Sequence, residues 1–141
     1  MTRSTTEALA SIPFFSGLAR QDLEGILEVG RSASFEPGVA IVTQGDQGDA
    51  MYVLVSGAAE VEVGGRFHRL GPGAFFGEMA LVSRRRRMAT VTATELVDAI
   101  EIPADAFRSF LLEHPAVALS MLESLVERLR EVQDRIDAWM A

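Results

Sequence analysis

The rhythm of apolar positions changes twice along this chain. From Thr5 to Gly30, the residues Leu9, Ile12, Phe14, Phe15, Leu18, Leu23, Ile26, Leu27 and Val29 recur at mixed spacings of three and four, interrupted by Pro13 and Gly17. That rhythm predicts two or three short helices. From Ser32 to Ile102 it gives way to short alternating or apolar runs separated by turn residues. These runs predict strands over Ser32 to Phe35, Ala40 to Gln44, Ala50 to Ser56, Ala58 to Val63, Arg66 to Leu70, Ala89 to Thr94 and Val97 to Ile102. Short strands with glycine turns at this spacing are the pattern of a β-sandwich or barrel, and Gly64-Gly65 is a strong two-residue hairpin signal. The middle of the chain is therefore expected to be a double-sheet jelly roll.

After Pro103 the helical period returns, with one helix over Ala104 to Leu112 and a longer one from Pro115 to about Met140. In the long helix, Leu122, Leu125, Leu129, Val132, Ile136 and Trp139 alternate spacings of three and four. So narrow a seam suits a partner helix, which predicts a homodimer; the alternative is an amphipathic helix lying on its own roll. The fold class expected is mainly β with flanking helices. One domain is predicted over residues 1–141, with N-terminal helices at 1–31, the β-roll at 32–102 and C-terminal helices at 103–141. No DNA-reading module is visible after the long helix.

Composition narrows the chemistry. The 141 residues are 48% hydrophobic and 23% charged, with no apolar run near the roughly 18 residues that span a bilayer. The N-terminus lacks the continuous apolar stretch of a signal peptide, and cysteine is absent, which points to the cytoplasm. All 13 basic residues are arginine, so lysine-based catalysis is excluded. His68 and His114 have no partners at metal-ligand spacing and are expected at the surface, so neither a metal nor a cofactor is called for. A formal charge of −7 argues against a general nucleic-acid surface.

Against that acidic background the stretch from Phe75 to Ala93 stands out. It holds Glu78, four consecutive arginines ending at Arg87, and Gly77 just ahead of the glutamate. A short helix beginning near Gly77 would direct backbone N–H groups at an anion, and Gly71, Gly73 and Gly77 would let a ligand approach the backbone. An arginine fork can grip a phosphate while a carboxylate accepts from a sugar hydroxyl. The combination suits a sugar phosphate.

The segment Phe76-Gly77-Glu78-Met79-Ala80-Leu81, the loop Val82 to Arg86, and Arg87-Met88-Ala89-Thr90-Val91-Thr92-Ala93 together resemble the phosphate-binding cassette of cyclic nucleotide-binding domains. Upstream, Gly45-Asp46-Gln47-Gly48-Asp49 with Tyr52 and Gly57 resembles a second signature of that family. The resemblance assigns the cassette to residues 75–91 and implies a ligand-binding set of Gly77, Glu78, Met79, Ala80, Arg87, Met88, Ala89, Leu70 and Val91. It implies that Glu78 takes the ribose 2′-OH, that Arg87 pairs with the cyclic phosphate, and that amides near Gly77, Ala80 and Met88 complete the anion contacts. Leu70, Met79 and Val91 would touch sugar or base.

Arg84, Arg85 and Arg86 then fall in the variable loop, where they raise local positive potential. Relatives that prefer cGMP carry a hydroxyl where this chain has Met88, so the expected ligand is cAMP, with cGMP as the alternative. Leu125, Arg128, Leu129 and Val132 are candidates to cap the purine. The function implied is a regulatory sensor, not an enzyme, acting through its C-terminal helices and a possible effector protein. A ligand-free dimerisation module of the same fold is the competing reading. A cupin-type metalloenzyme would need more histidines than His68 among the strands.

Overall fold

A computed structural model describes residues 2–83 and 85–140, with residues 2–4 and Phe14 described by their backbone alone. Arg84, assigned above to the variable loop, lies outside the described residues, as does the side chain of Phe14. The helical start consists of α1 (Thr2–Ala10), a 3₁₀ turn (Pro13–Phe15) and α2 (Arg20–Glu28). Eight strands follow: β1 (Arg31–Phe35), β2 (Ala40–Val42), β3 (Ala50–Ser56), β4 (Ala59–Val63), β5 (Arg66–Leu70), β6 (Phe75–Phe76), β7 (Thr90–Ala93) and β8 (Val97–Pro103). A second 3₁₀ turn (Glu78–Leu81) interrupts them after β6, and α3 (Ala104–Glu113) and α4 (Pro115–Met140) close the chain.

The strands form two antiparallel four-stranded sheets, ordered β1-β8-β3-β6 and β2-β7-β4-β5. This is the expected mainly-β roll with flanking helices. Strand β6 escapes the sequence reading because two residues are too few to show a period. Strand β2 ends at Val42, two residues short of expectation. Its register slips between Ala40 and Val42, and the Gln44 amide turns instead to the Thr90 hydroxyl at 3.0 Å.

Strand β3 explains why its sequence is apolar throughout. Tyr52 and Leu54 point into the roll with Ala59, Val91, Val97 and Ala99, whereas Met51 and Val53 pack on the other side with Leu9, Ile12, Phe15, Ile26, Ile102 and Phe107. A strand buried on both faces loses the usual polar alternation. The second cluster also holds Leu81 from the 3₁₀ turn and Phe110, Val117 and Met121 from the C-terminal helices. Sheet, turn and helices thus share one core.

Of α4, only Val117 and Met121 are buried. The seam beyond them is open: Leu122, Leu129, Ile136 and Trp139 are all exposed, Trp139 by 87%. The helix does not lie along its own roll.

Candidate functional site

Gly77 holds a conformation that the position of Arg87 depends on. Gly77 has φ of +79°, a region that favours glycine, and caps the 3₁₀ turn from Glu78 to Leu81. A Cβ at Gly77 would stand 2.5 Å from Arg87 Nη1 and 2.9 Å from the Ala50 carbonyl oxygen. The glycine therefore houses the guanidinium. A Cβ built at Gly71 or Gly73 meets nothing within 4 Å, the +87° φ of Gly73 is a turn requirement, and of the three glycines Gly77 alone lines the cavity described below. Away from the cavity, Gly57, at φ +89°, leaves room for the Leu96 carbonyl.

The arginine run and the Gly45-to-Asp49 loop, far apart in sequence, are stitched together antiparallel. The Gly45 amide donates to the Arg87 carbonyl at 2.9 Å, the Arg87 amide to Asp46 at 2.7 Å, and the Gly48 amide to Arg85 at 3.1 Å. Arg86 anchors the pair further through Nη1, which donates to the Gly45 carbonyl at 2.8 Å. The two sequence signatures are thus two strands of one rim.

Inside that rim lies a cavity of about 290 Å³, near the lower limit of the roughly 300–1,000 Å³ usual for ligand pockets. Gly77, Glu78, Met79, Ala80, Arg87, Met88, Ala89 and Val91 all line it, joined by Val42, Val61, Phe76 and Arg85. Leu70 does not; it packs against the interior cluster of the roll, opposite Ala59. Met79 and Met88 are exposed by 64% and 79%, forming an apolar lip. None of the residues lining the cavity belongs to α3 or α4, so Leu125, Arg128, Leu129 and Val132 stand away from it.

Arg87 is the deepest charge in this cavity. Its side chain is only 8% exposed, Nη2 donates to the Ala50 carbonyl at 2.8 Å, and the carboxylate of Asp49 stands 4.0 Å away on a largely solvated side chain. Glu78 makes no hydrogen bond or ion pair with the described residues and does not cap its own turn, whose cap is Gly77. The Ala80 amide donates to the Gly77 carbonyl at 3.0 Å.

Behind the cavity runs a network that periodicity could not reveal. Arg31, Glu101, Tyr52 and Phe76 are directly opposite one another across β1, β8, β3 and β6. Tyr52 stacks on Phe76 at 5.2 Å and donates its hydroxyl to Glu101 at 2.7 Å, while Arg31 pairs with the other oxygen of that carboxylate. Burial, and then the bond to Glu101, push the Tyr52 hydroxyl well above its ordinary value. Burial alone would raise the Glu101 carboxyl, but the Tyr52 and Arg31 hydrogen bonds and the Arg31 charge outweigh it and hold the group low. The one local signal in the sequence was a tyrosine within an apolar strand.

Among the described residues, no group of three or more His, Cys, Asp or Glu could hold a metal ion, and no helix is long and apolar enough to cross a membrane. Fold and cavity together define a small-molecule-binding β-roll whose deepest group is a cation. The chain belongs to the cyclic nucleotide-binding domain family, which matches residues 32–114. It is 38% identical over 120 residues to a cGMP-dependent protein kinase of Toxoplasma gondii, covering 83% of this chain and 12% of the kinase. It is 30% identical over 131 residues to the cyclic AMP receptor protein of Thermus thermophilus, covering 89% of this chain and 61% of the receptor. Among solved structures, the N-terminal domain of a transcriptional regulator from Streptomyces coelicolor A3(2) superposes with a TM-score of 0.79 at 26% identity, covering 90% of this chain and 95% of that one. The chain thus spans less than two-thirds of the kinase and of the receptor.

Proposed function

We propose that this chain binds a cyclic nucleotide, cAMP in preference to cGMP, and passes the event on through its C-terminal helices. The observation that carries this reading is Arg87: a nearly buried guanidinium whose close partner is a backbone carbonyl, facing an apolar cavity. A desolvated cation of this kind gains most from a ligand anion that it can grip with two N–H groups. In the bound state Arg87 pairs with the cyclic phosphate, Glu78 accepts from the ribose 2′-OH, and amides near Gly77, Ala80 and Met88 complete the anion contacts. Met79, Met88, Ala89 and Val91 meet the sugar and base. Glu78 suits its role because no described protein group competes for its carboxylate.

The preference for cAMP rests on Met88. It brings no hydroxyl to a guanine edge, and its exposed, flexible side chain can fold over a purine face. Related proteins named for cGMP and for cyclic AMP both resemble this chain, so the two ligands must be compared directly. The cysteine-free, arginine-only composition fits a cytoplasmic binding module with no catalytic role of its own. With the open seam on α4, the sensor is a homodimer whose effector is another polypeptide or another segment of a longer protein. The open seam equally favours a second reading, a dimerisation module that no longer responds to ligand.

Calorimetric titration of nucleotide-stripped protein with cAMP and then cGMP separates these readings. Saturable binding is expected, tighter for cAMP, and Arg87→Ala should weaken it by roughly 3 kcal/mol or more, as when one member of a buried charge pair is truncated. Binding that survives Arg87→Ala would remove Arg87 from the site. No binding of either nucleotide to the wild type would leave the dimerisation module.

A further inference from the structure

The apolar face of α4 is wider than a pair of helices needs. In heptad terms, Leu122, Leu129 and Ile136 stand at a, and Leu125, Val132 and Trp139 at d; these two rows make the seam. A third row, Leu119, Val126 and Met140 at e, lies three residues before or four after members of the first and so continues the same face. All three are more than half exposed. Gln133, which interrupts this row, donates from Nε2 to the Asp137 carboxylate at 3.0 Å. Rows a and d alone make a coiled-coil seam, whereas a, d and e together are the face of a helix in a bundle of more than two.

The other flank of the seam is cationic. Arg128 and Arg135 stand at g, and Arg135 shares a surface hollow with Val132, Ile136, Trp139 and Met140. Neither arginine makes an ion pair or hydrogen bond with the described residues. Parallel helices set each g against the next e of the other helix, which puts Arg128 against Gln133 and Arg135 against Met140; antiparallel helices set arginine against arginine. A second copy therefore brings neither of them an acid. The acids of this stretch, Glu123, Glu127, Glu131, Asp134 and Asp137, all fall at b, c and f, away from the seam. In the homodimer proposed above, the second copy covers a and d and leaves two equivalent grooves, each with an apolar e row from one chain and two guanidinium groups from the other.

We propose that each groove is a docking site for an amphipathic helix whose apolar stripe is flanked by aspartate or glutamate, so that the dimer takes up two such helices. The proposal rests on the homodimer reading and gives the effector its chemistry. From Leu122 to Met140 the groove runs about 27 Å, the length of a partner helix of five turns. The apolar row supplies contact area, and the arginines select an acidic partner over a basic one.

Two synthetic helical peptides of about 21 residues test it, both with leucine at a and d, one with glutamate and the other with lysine at e and g. Light scattering first gives the mass of the protein alone, and fluorescence anisotropy then follows each labelled peptide. The glutamate peptide should bind at two per dimer and at least tenfold more tightly than the lysine peptide, with the difference shrinking as salt is raised. Arg128→Glu with Arg135→Glu should reverse the preference, which separates α4 from the arginine run beside the cavity. Val126→Glu should weaken the glutamate peptide and leave the protein a dimer. Both arginines are exposed, and the salt series on the wild type carries the comparison if the double variant does not fold. Equal binding of the two peptides, or a preference unchanged by the double variant or by salt, overturns the proposal. So does a complex of one chain with one peptide, in which the peptide has replaced the second copy on the seam. A wild type that is monomeric before any peptide is added overturns the homodimer reading itself, and the grooves with it.

Discussion

At the scale of single residues, the chain places two charges where burial makes them consequential. Arg87 is held by a backbone carbonyl beside the cavity, whereas Glu101 is already satisfied by Tyr52 and Arg31. The carboxyl of Glu101 is therefore held below the ordinary glutamate value of about 4.3. A depressed carboxyl contributes stability that is present above the unfolded value and lost as pH falls through the folded one. The melting temperature of Glu101→Gln should accordingly lie furthest below the wild type at neutral pH, with the gap closing as pH falls below about 4. Melting curves recorded from pH 7 to pH 3 check this. A gap that stays constant would show that the carboxylate charge contributes nothing and that only the shape of the side chain matters.

At the scale of elements, sequence patterning was strongest where one face alone is buried and weakest where both are. Strand β7, where buried Val91 and Ala93 alternate with Thr90 and Thr92, and strand β4 followed from alternation, whereas the exposed β5 was bounded by its Gly64-Gly65 turn and by Gly71. Strand β3 was found as an apolar run, but its division between two clusters needs the helices that cover its outer side. The cassette showed its residues through local spacing, and all but Leu70 of the expected set line one cavity. What spacing could not show was pairing at a distance: the loop from Gly45 joining the arginine run, or the Tyr52-Glu101-Arg31 row. Each depends on register between strands that are far apart in the chain.

The seam of α4 is the opposite case, legible in the sequence and unpartnered on the molecule. Leu129 is 69% exposed, so Leu129→Glu removes no internal packing. It should shift a dimer towards monomer in light scattering while leaving the melting of the roll at low concentration nearly unchanged. An unchanged mass would mean that the seam is not the assembly surface.

At the scale of the whole molecule, the cavity and the helices meet at one segment. The 3₁₀ turn offers Glu78, Met79 and Ala80 to the cavity, yet its last residue, Leu81, is fully buried among Phe15, Phe107 and Phe110. Arg108 of α3 reinforces the joint, donating from Nη2 to the Val82 carbonyl at 3.4 Å. A ligand that draws the turn towards its phosphate must therefore drag Leu81 against the helical cluster, and close packing gives that cluster little freedom to absorb the shift. On the proposed function, the population of helix arrangements would then change by as much as the ligand favours one of them. Trp139, the chain's single tryptophan, sits exposed near the end of α4 and reports on it. Leu81→Ala should lower stability by about 2–5 kcal/mol, as for other buried leucines. At a temperature where this variant is still folded, it should bind cAMP with Glu78 and Arg87 in place but show little of the wild-type change in Trp139 emission. A full emission change in Leu81→Ala would route the signal around the turn, leaving direct contact between ligand and α4 as the coupling.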